Sequence, residues 1–342
     1  MTARLGDVVA RLVAWADTLQ QRHGLLGFPY AVVKKYGDDA AGRQAALITY
    51  YGFLSMFPVL LLAVSVLSRV LVENLELRQE LIRAVVPSEF QQTVDESVAA
   101  MPSSGWPLII GLVGLVFAGT GVVFSAYETL NHLAGVPMQA RFGFFPRYAR
   151  VLLMLVVMLA GALGVATLTV VSAALTDVSG LQQVSAAAGT VAVVFLVLLA
   201  AAKVLIARPV TVRAAAPAAA LGAVAVAAVL TAGTRLLSAL VTRSGPVYGS
   251  FATVAGVFAL LYLVSRALLY AAEMAVVHHT RLWPRALDTS RPTPADIRAL
   301  NRLAAEQQRL AAQRIEVAFN AGNAAEDGAV GPARVRTDRE PG

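Results

Sequence analysis

Six stretches of this chain are each long and apolar enough to fill the ~30 Å hydrocarbon core of a bilayer, and no other property restricts its fold as tightly. They fall at about residues 45–71, 106–127, 148–172, 184–206, 214–240 and 249–277. Across 342 residues, 57% are hydrophobic and 14% charged, against about 25% charged in soluble domains. A single globular core cannot hide that much apolar surface, so lipid is the solvent the sequence implies. The predicted fold class is all-α: a polytopic membrane protein of six transmembrane helices, with an amphipathic extracytoplasmic loop and helices before and after the spans.

Basic residues alternate between the connections. Lys34, Lys35 and Arg43 precede span one, Arg141, Arg147 and Arg150 join spans two and three, and Arg208 and Arg213 join four and five. Arg281 and Arg285 follow span six, whereas the other connections hold only Arg78, Arg83 and Arg243. Retention of positive loops in the cytoplasm therefore predicts that both termini are cytoplasmic. The net charge of +7 is spread over tails and short loops, which topology explains better than nucleic-acid binding. No apolar run near the start reads as a cleavable signal, so the first span is expected to direct insertion.

The chain divides into an interfacial N-terminal segment (1–44), the six-helix domain (45–277), a cytoplasmic C-terminal helix (278–320) and a tail expected to be disordered (321–342). Leu5, Val8, Val9, Leu12, Ala16 and Leu19 are spaced as a surface helix over 3–20, and Gly24–Tyr30 reads as a turn. Residues 72–105 are predicted to hold two amphipathic helices, about Asn74–Val85 and Glu89–Met101, forming an acidic outer cap. Thr293-Pro294-Ala295-Asp296 has the spacing of a helix start, and that helix is predicted to run to about Phe319.

Charged groups inside spans are the first candidates for function. Arg266 lies eleven residues from the end of span six, roughly 16 Å in by helical rise. Tyr262, Tyr270 and Glu273 share its helical face, making a polar stripe on an apolar helix. Glu128, ending span two, is the expected partner of Arg266. With Asn131 and Lys203 the set forms a predicted polar cluster opening to the cytoplasm; the plainer reading is a group of snorkelling side chains with one structural Arg–Glu tie. Tyr50, Tyr51 and Ser55 precede Pro58, which must kink span one. They read either as a substrate-lining surface or as interhelical hydrogen bonds and an aromatic belt. The expected substrate-binding set is thus Tyr51, Ser55, Glu128, Asn131, Arg266 and Glu273, with Pro58 as a gating kink.

Signatures of enzymes are missing. The four histidines (His23, His132, His278 and His279) lack metal-ligand spacing, cysteine is absent, and there is neither a phosphate-binding glycine loop nor a nucleophile elbow. No catalytic residue, metal or cofactor is expected.

Three segments resemble the YihY/BrkB family of bacterial inner-membrane proteins. TYYGFLSMFPVLLL (Thr49–Leu62) is similar to its first-span signature, and AYETLNHLAGVPMQARFGFFPR (Ala126–Arg147) to its segment after span two, with Asn131 and Arg141 at matching places. YGSFATVAGVFALLYLVSRALLYAAEM (Tyr248–Met274) is similar to its last span, including Tyr248-Gly249 and Ala272-Glu273. Order and spacing agree over roughly residues 28–285. The chain departs at Leu261, where the pattern has tryptophan, and at Arg266, where it has an apolar or small residue. The resemblance implies a six-helix plasma-membrane protein; an old family label of ribonuclease BN finds no zinc ligands here. The functional expectation is a transporter or exporter of a lipid, envelope precursor or small anionic solute, using a cavity between spans one, two and six, with membrane lipids as partners. The alternative is a non-transporting scaffold that regulates envelope partners through its outer loop and C-terminal helix.

Overall fold

The computed structural model describes residues 14–22, 24–70, 91–92, 106–174, 180–288, 291–315 and 317. Most of those residues are helical, and no strand is found among them. We label the helices α1 (Gly24–Asp38), α2 (Ala41–Val70), α3 (Trp106–Leu133), α4 (Phe144–Ala174), α5 (Gly180–Leu205), α6 (Val212–Thr280) and α7 (Pro294–Glu306). Six stretches within α2–α6 are long and apolar enough to cross a membrane: Ala41–Ala63, Leu108–Leu133, Phe144–Leu168, Ala187–Leu205, Val212–Leu236 and Phe251–Thr280. They are spans one to six. Large apolar side chains such as Val113, Phe117, Leu163 and Phe251 stand outward and uncovered, the surface of a multi-pass membrane protein rather than of a soluble one.

Glycines set the helix contacts, because in lipid close backbone approach replaces the hydrophobic drive of water. A Cβ on Gly111, Gly114 or Gly121 of α3 would fall 2.8 Å from Leu62 Cγ, 3.1 Å from Pro58 Cβ or 2.4 Å from Tyr51 Cδ1 of α2. These pairs run antiparallel and make α2–α3 the most extensive interface. Gly161 against Val197 (2.5 Å) joins α4 to α5 in the same way, and Gly119 against Leu155 (2.7 Å) joins α3 to α4.

Spans five and six were expected as separate helices, yet they belong to one helical element, α6. A straight helix would hold Gly233 and Leu260 about 40 Å apart. Instead a Cβ on Gly233 would lie 2.1 Å from Leu260 Cδ1, and one on Gly222 would lie 3.5 Å from Leu268 Cδ2. The element therefore doubles back on itself, midway near Gly245-Pro246. Its connection is helical in backbone rather than a loop.

At one end, which we call the base, α1 and α7 close over the ends of the spans. Ala31 and Val32 of α1 bury against Val277, Leu282 and Ala299, and Phe28 meets the Trp283 ring edge-on at 5.4 Å. Gly24–Tyr30 is thus the first half of α1 and not a turn. Packing overrides the local Gly and Pro signals there, since Gly27 is pressed against the Gln20 carbonyl, where a Cβ would come within 2.8 Å. The C-terminal helix stops at Glu306, short of the expected Phe319. The chain is drawn off by the Gln139 N–H, which donates to the Gln308 carbonyl at 3.0 Å. Of the expected 3–20 helix, residues 14–20 are helical and the remainder lies outside the described residues. So do the expected acidic cap, apart from residues 91–92, and the 321–342 tail.

Candidate functional site

The base is knit by buried charges. Asp296, at the third position of α7, accepts from Arg285 Nε (2.6 Å), Lys34 Nζ (2.9 Å), the Ala286 N–H (2.9 Å), the Thr293 N–H (3.0 Å) and the Thr293 hydroxyl (2.8 Å). Arg285 also donates to Asp38 at 2.7 Å and is 1% exposed. Burial pushes the Asp296 carboxyl up. The Ala286 N–H, Arg285, Lys34 and Thr293 more than offset this and hold it well below the usual carboxylate range.

A second chain of charges begins in span six. Glu273 is fully buried, with Lys35 Nζ 2.8 Å from its carboxylate, and Lys35 also pairs with Asp39, four residues on and just past the end of α1. Asp39 offers its carbonyl to His132 Nε2 (2.9 Å), while His132 Nδ1 lies 2.8 Å from Glu306. Glu306, 2% exposed, accepts from Arg141 at 2.6 Å, and Arg141 in turn binds Glu128 at 2.6 Å. Arg147 lies 3.7 Å from the same Glu128.

This geometry splits the expected polar cluster. Glu128 is tied to Arg141 and Arg147, not to Arg266, and the partner of Glu273 is Lys35. Asn131 is fully buried. Its amide donates to the carbonyls of Tyr127 (2.8 Å) and Leu205 (2.9 Å) and accepts from the Ala207 N–H (2.8 Å), fastening the end of span four to span two. Lys203 is exposed. Ser55 donates to the Gly52 carbonyl at 2.8 Å, within the turn that precedes Pro58, and Pro58 packs on Gly114.

Tyr51 and Glu128 do share a space. A lateral cleft of about 340 Å³ lies between spans one, two and three, lined by Gln44, Leu47, Tyr51, Thr120, Gly121, Phe124, Ser125, Glu128 and Tyr148. Arg147 does not line the cleft itself but touches residues that do, with its guanidinium 5.0 Å from the Phe124 ring centre and 5.7 Å from that of Tyr148. Arg147 Nε is buried with no hydrogen-bond partner among the described residues. Arg266 lies elsewhere, on the side of span one where Thr49 donates to Ser265 at 3.1 Å. Its guanidinium sits 5.9, 5.7 and 5.8 Å from the rings of Tyr36, Tyr262 and Tyr270. Tyr36 belongs to the last turn of α1, so Arg266 faces the end of α1 that leads into α2.

Sequence reasoning passed over Gln44, Thr120, Ser125 and Tyr148 in the cleft, and Asp39, Arg285, Asp296 and Glu306 as buried charges. Two signals were available: the i,i+4 spacing of Lys35 and Asp39, and the Thr293–Asp296 capping box. Glu306 carries no local signal, since its burial depends on residues more than 160 positions away.

The family model described as Virulence factor BrkB matches residues 32–296. No curated protein and no solved structure matches the chain. The family match begins in α1, ends at Asp296 and takes in all six spans, so this multi-pass membrane protein belongs to the BrkB family.

Proposed function

We propose that the chain is a transporter that takes an anionic amphiphile, a lipid or a lipid-linked envelope precursor, from the cytoplasmic leaflet of a bacterial inner membrane. The carrying observation is the cleft. Polar groups of Gln44, Thr120, Ser125 and Glu128 line a recess between spans whose outer faces are otherwise apolar, and such groups inside a membrane are costly unless used. Leu47 on its rim is exposed, so the recess opens toward lipid. An amphiphile entering there keeps its tail against Leu47, Tyr51 and Phe124 and brings its anionic head to Arg147. Arg141, Arg147, Arg150, Arg208 and Arg213 all border the base, which supports a cytoplasmic base with both termini on that side. The Pro58–Gly114 contact is the proposed place of gating, because span one flexes there most easily. A small anionic solute fits the same head site less well, having no tail for the apolar wall.

The test uses proteoliposomes holding acyl-labelled phosphatidylglycerol or a labelled polyprenyl phosphate. The native chain is expected to speed leaflet exchange of at least one, and Thr120→Trp, which fills the cleft, to slow it at least tenfold. No acceleration of either lipid by the native chain would refute transport and leave the scaffold reading. A scaffold cannot be tested by removing residues 290–342, because that removes Asp296 and Glu306 from the base.

A further inference from the structure

We propose that Arg266, Tyr36 and the N-terminus of α2 form a binding site for the phosphate of a membrane-lipid headgroup, separate from the cleft. Arg266 is a permanent cation with five N–H donors, and no carboxylate among the described residues pairs with it. Glu273, two turns along the helix, is engaged by Lys35, and Tyr270 lies between the two. Three tyrosine rings hold the guanidinium without neutralising it.

A second observation points to the missing ligand. Tyr36 is 8% exposed, and its hydroxyl, which faces the Arg266 guanidinium, meets no acceptor for its own O–H among the described residues. Buried hydroxyls without partners are rare and costly. That hydroxyl lies 3.9 Å from where a Cβ on Gly42 would stand. Gly42 is the second residue of the 30-residue α2; the Arg43 N–H donates to the Ala40 carbonyl, and the Ala41 and Gly42 N–H groups at the positive end of the helix dipole precede the first helical acceptor. Guanidinium, phenol and helix start are all donors. An oxyanion is the group that accepts from such a set, as at other helix N-termini.

The surroundings choose a lipid over free phosphate. Ala255, Ala259 and Leu263 form an exposed stripe of span six that leads to Arg266 from the membrane interior. An acyl chain on that stripe delivers its phosphate to Arg266, beside the end of α1.

The test is a titration of the delipidated full chain in detergent, followed by native mass spectrometry. The probes are short-chain phosphatidylglycerol, a diacylglycerol of the same chains, and inorganic phosphate. Phosphatidylglycerol is expected to be retained and the other two not. Arg266→Ala should raise its apparent Kd about tenfold or more, in line with loss of a hydrogen bond to a charged group. Tyr36→Phe should raise it severalfold. If Arg266→Ala does not fold, Arg266→Lys and Tyr36→Phe supply the reading, and unchanged binding by both overturns the site. Equal retention of diacylglycerol overturns the phosphate contact, and binding of inorganic phosphate as tight as that of phosphatidylglycerol overturns the lipid assignment. None of these readings uses flux, so the site and the transport proposal stand or fall separately.

Discussion

Replacing Asp296 with alanine should open the base. The carboxylate accepts from Arg285, Lys34, the Ala286 N–H and both donors of Thr293. Truncation leaves Arg285, 1% exposed, with Asp38 alone, and strands the Ala286 N–H. Removing one partner of a buried ion pair costs about 3–5 kcal/mol, against ~0–1 for a surface pair. Because α7 can detach without unfolding the spans, the loss is expected as local opening. At about 1.4 kcal/mol per factor of ten, the open population rises roughly a hundred- to several-thousand-fold. Limited proteolysis in detergent reads this directly when closing outpaces cleavage. The double variant Arg285→Met with Asp296→Leu should cost less than the sum of its parts, because the charges left behind, Lys34 and Asp38, are opposite in sign and partly exposed. An increase in cleavage below about fivefold for Asp296→Ala, which corresponds to ~1 kcal/mol, would refute the reasoning.

The same carboxyl sets a pH dependence. Its folded pKa is depressed, so its contribution is complete above the unfolded value of about 3.9 and is lost as pH falls through the lower folded value. Protease resistance of the base should therefore persist at pH 5 and fail only below about 4, and the Asp296→Asn chain should lack that step. Asn131→Asp should lower thermal stability in detergent, by about 2–3 kcal/mol, since a carboxylate cannot donate to the Tyr127 and Leu205 carbonyls; an unchanged melting temperature would contradict the tie. Gly121→Ala should cost about 1–3 kcal/mol, because its Cβ would fall 2.4 Å from Tyr51 Cδ1, close to the backbone where the ring cannot swing away. A neutral result in the same melting assay would mean that spans one and two can separate freely.

The six spans were legible because each rests on a local quantity, some twenty apolar residues in a row. The site was legible only in part. Tyr51 was singled out from its place before Pro58 and Glu128 from its place at the end of span two, and they do line one cleft. Arg266 and Glu128 were paired from depth alone. Depth along a helix says nothing of which side of span one a residue occupies, and the Thr49–Ser265 bond puts span six on the other side from the cleft. The Lys35–Glu273 pair escaped because residues 24–44 read as interfacial. Only tertiary packing of Ala31 and Val32 on Val277 presses α1 into the bundle. Helix ends failed for a similar reason: α7 stops where Arg141 and His132 hold the Glu306 side chain and the Gln139 N–H takes the Gln308 carbonyl just beyond it, all contacts distant in sequence.

Whether the chain crosses the bilayer six times, with its base on one side, can be read by cysteine labelling, since the native sequence contains no cysteine. Single cysteines at Gln139, Arg208 and Arg298, all exposed at the base, and at Ser244 in the fold-back of α6 would be probed with a membrane-impermeant maleimide in vesicles of both orientations. The first three should label from one face and Ser244 only from the other. Labelling of Ser244 from the same face as Arg208 would contradict the antiparallel pairing of spans five and six, and with it the six-span bundle.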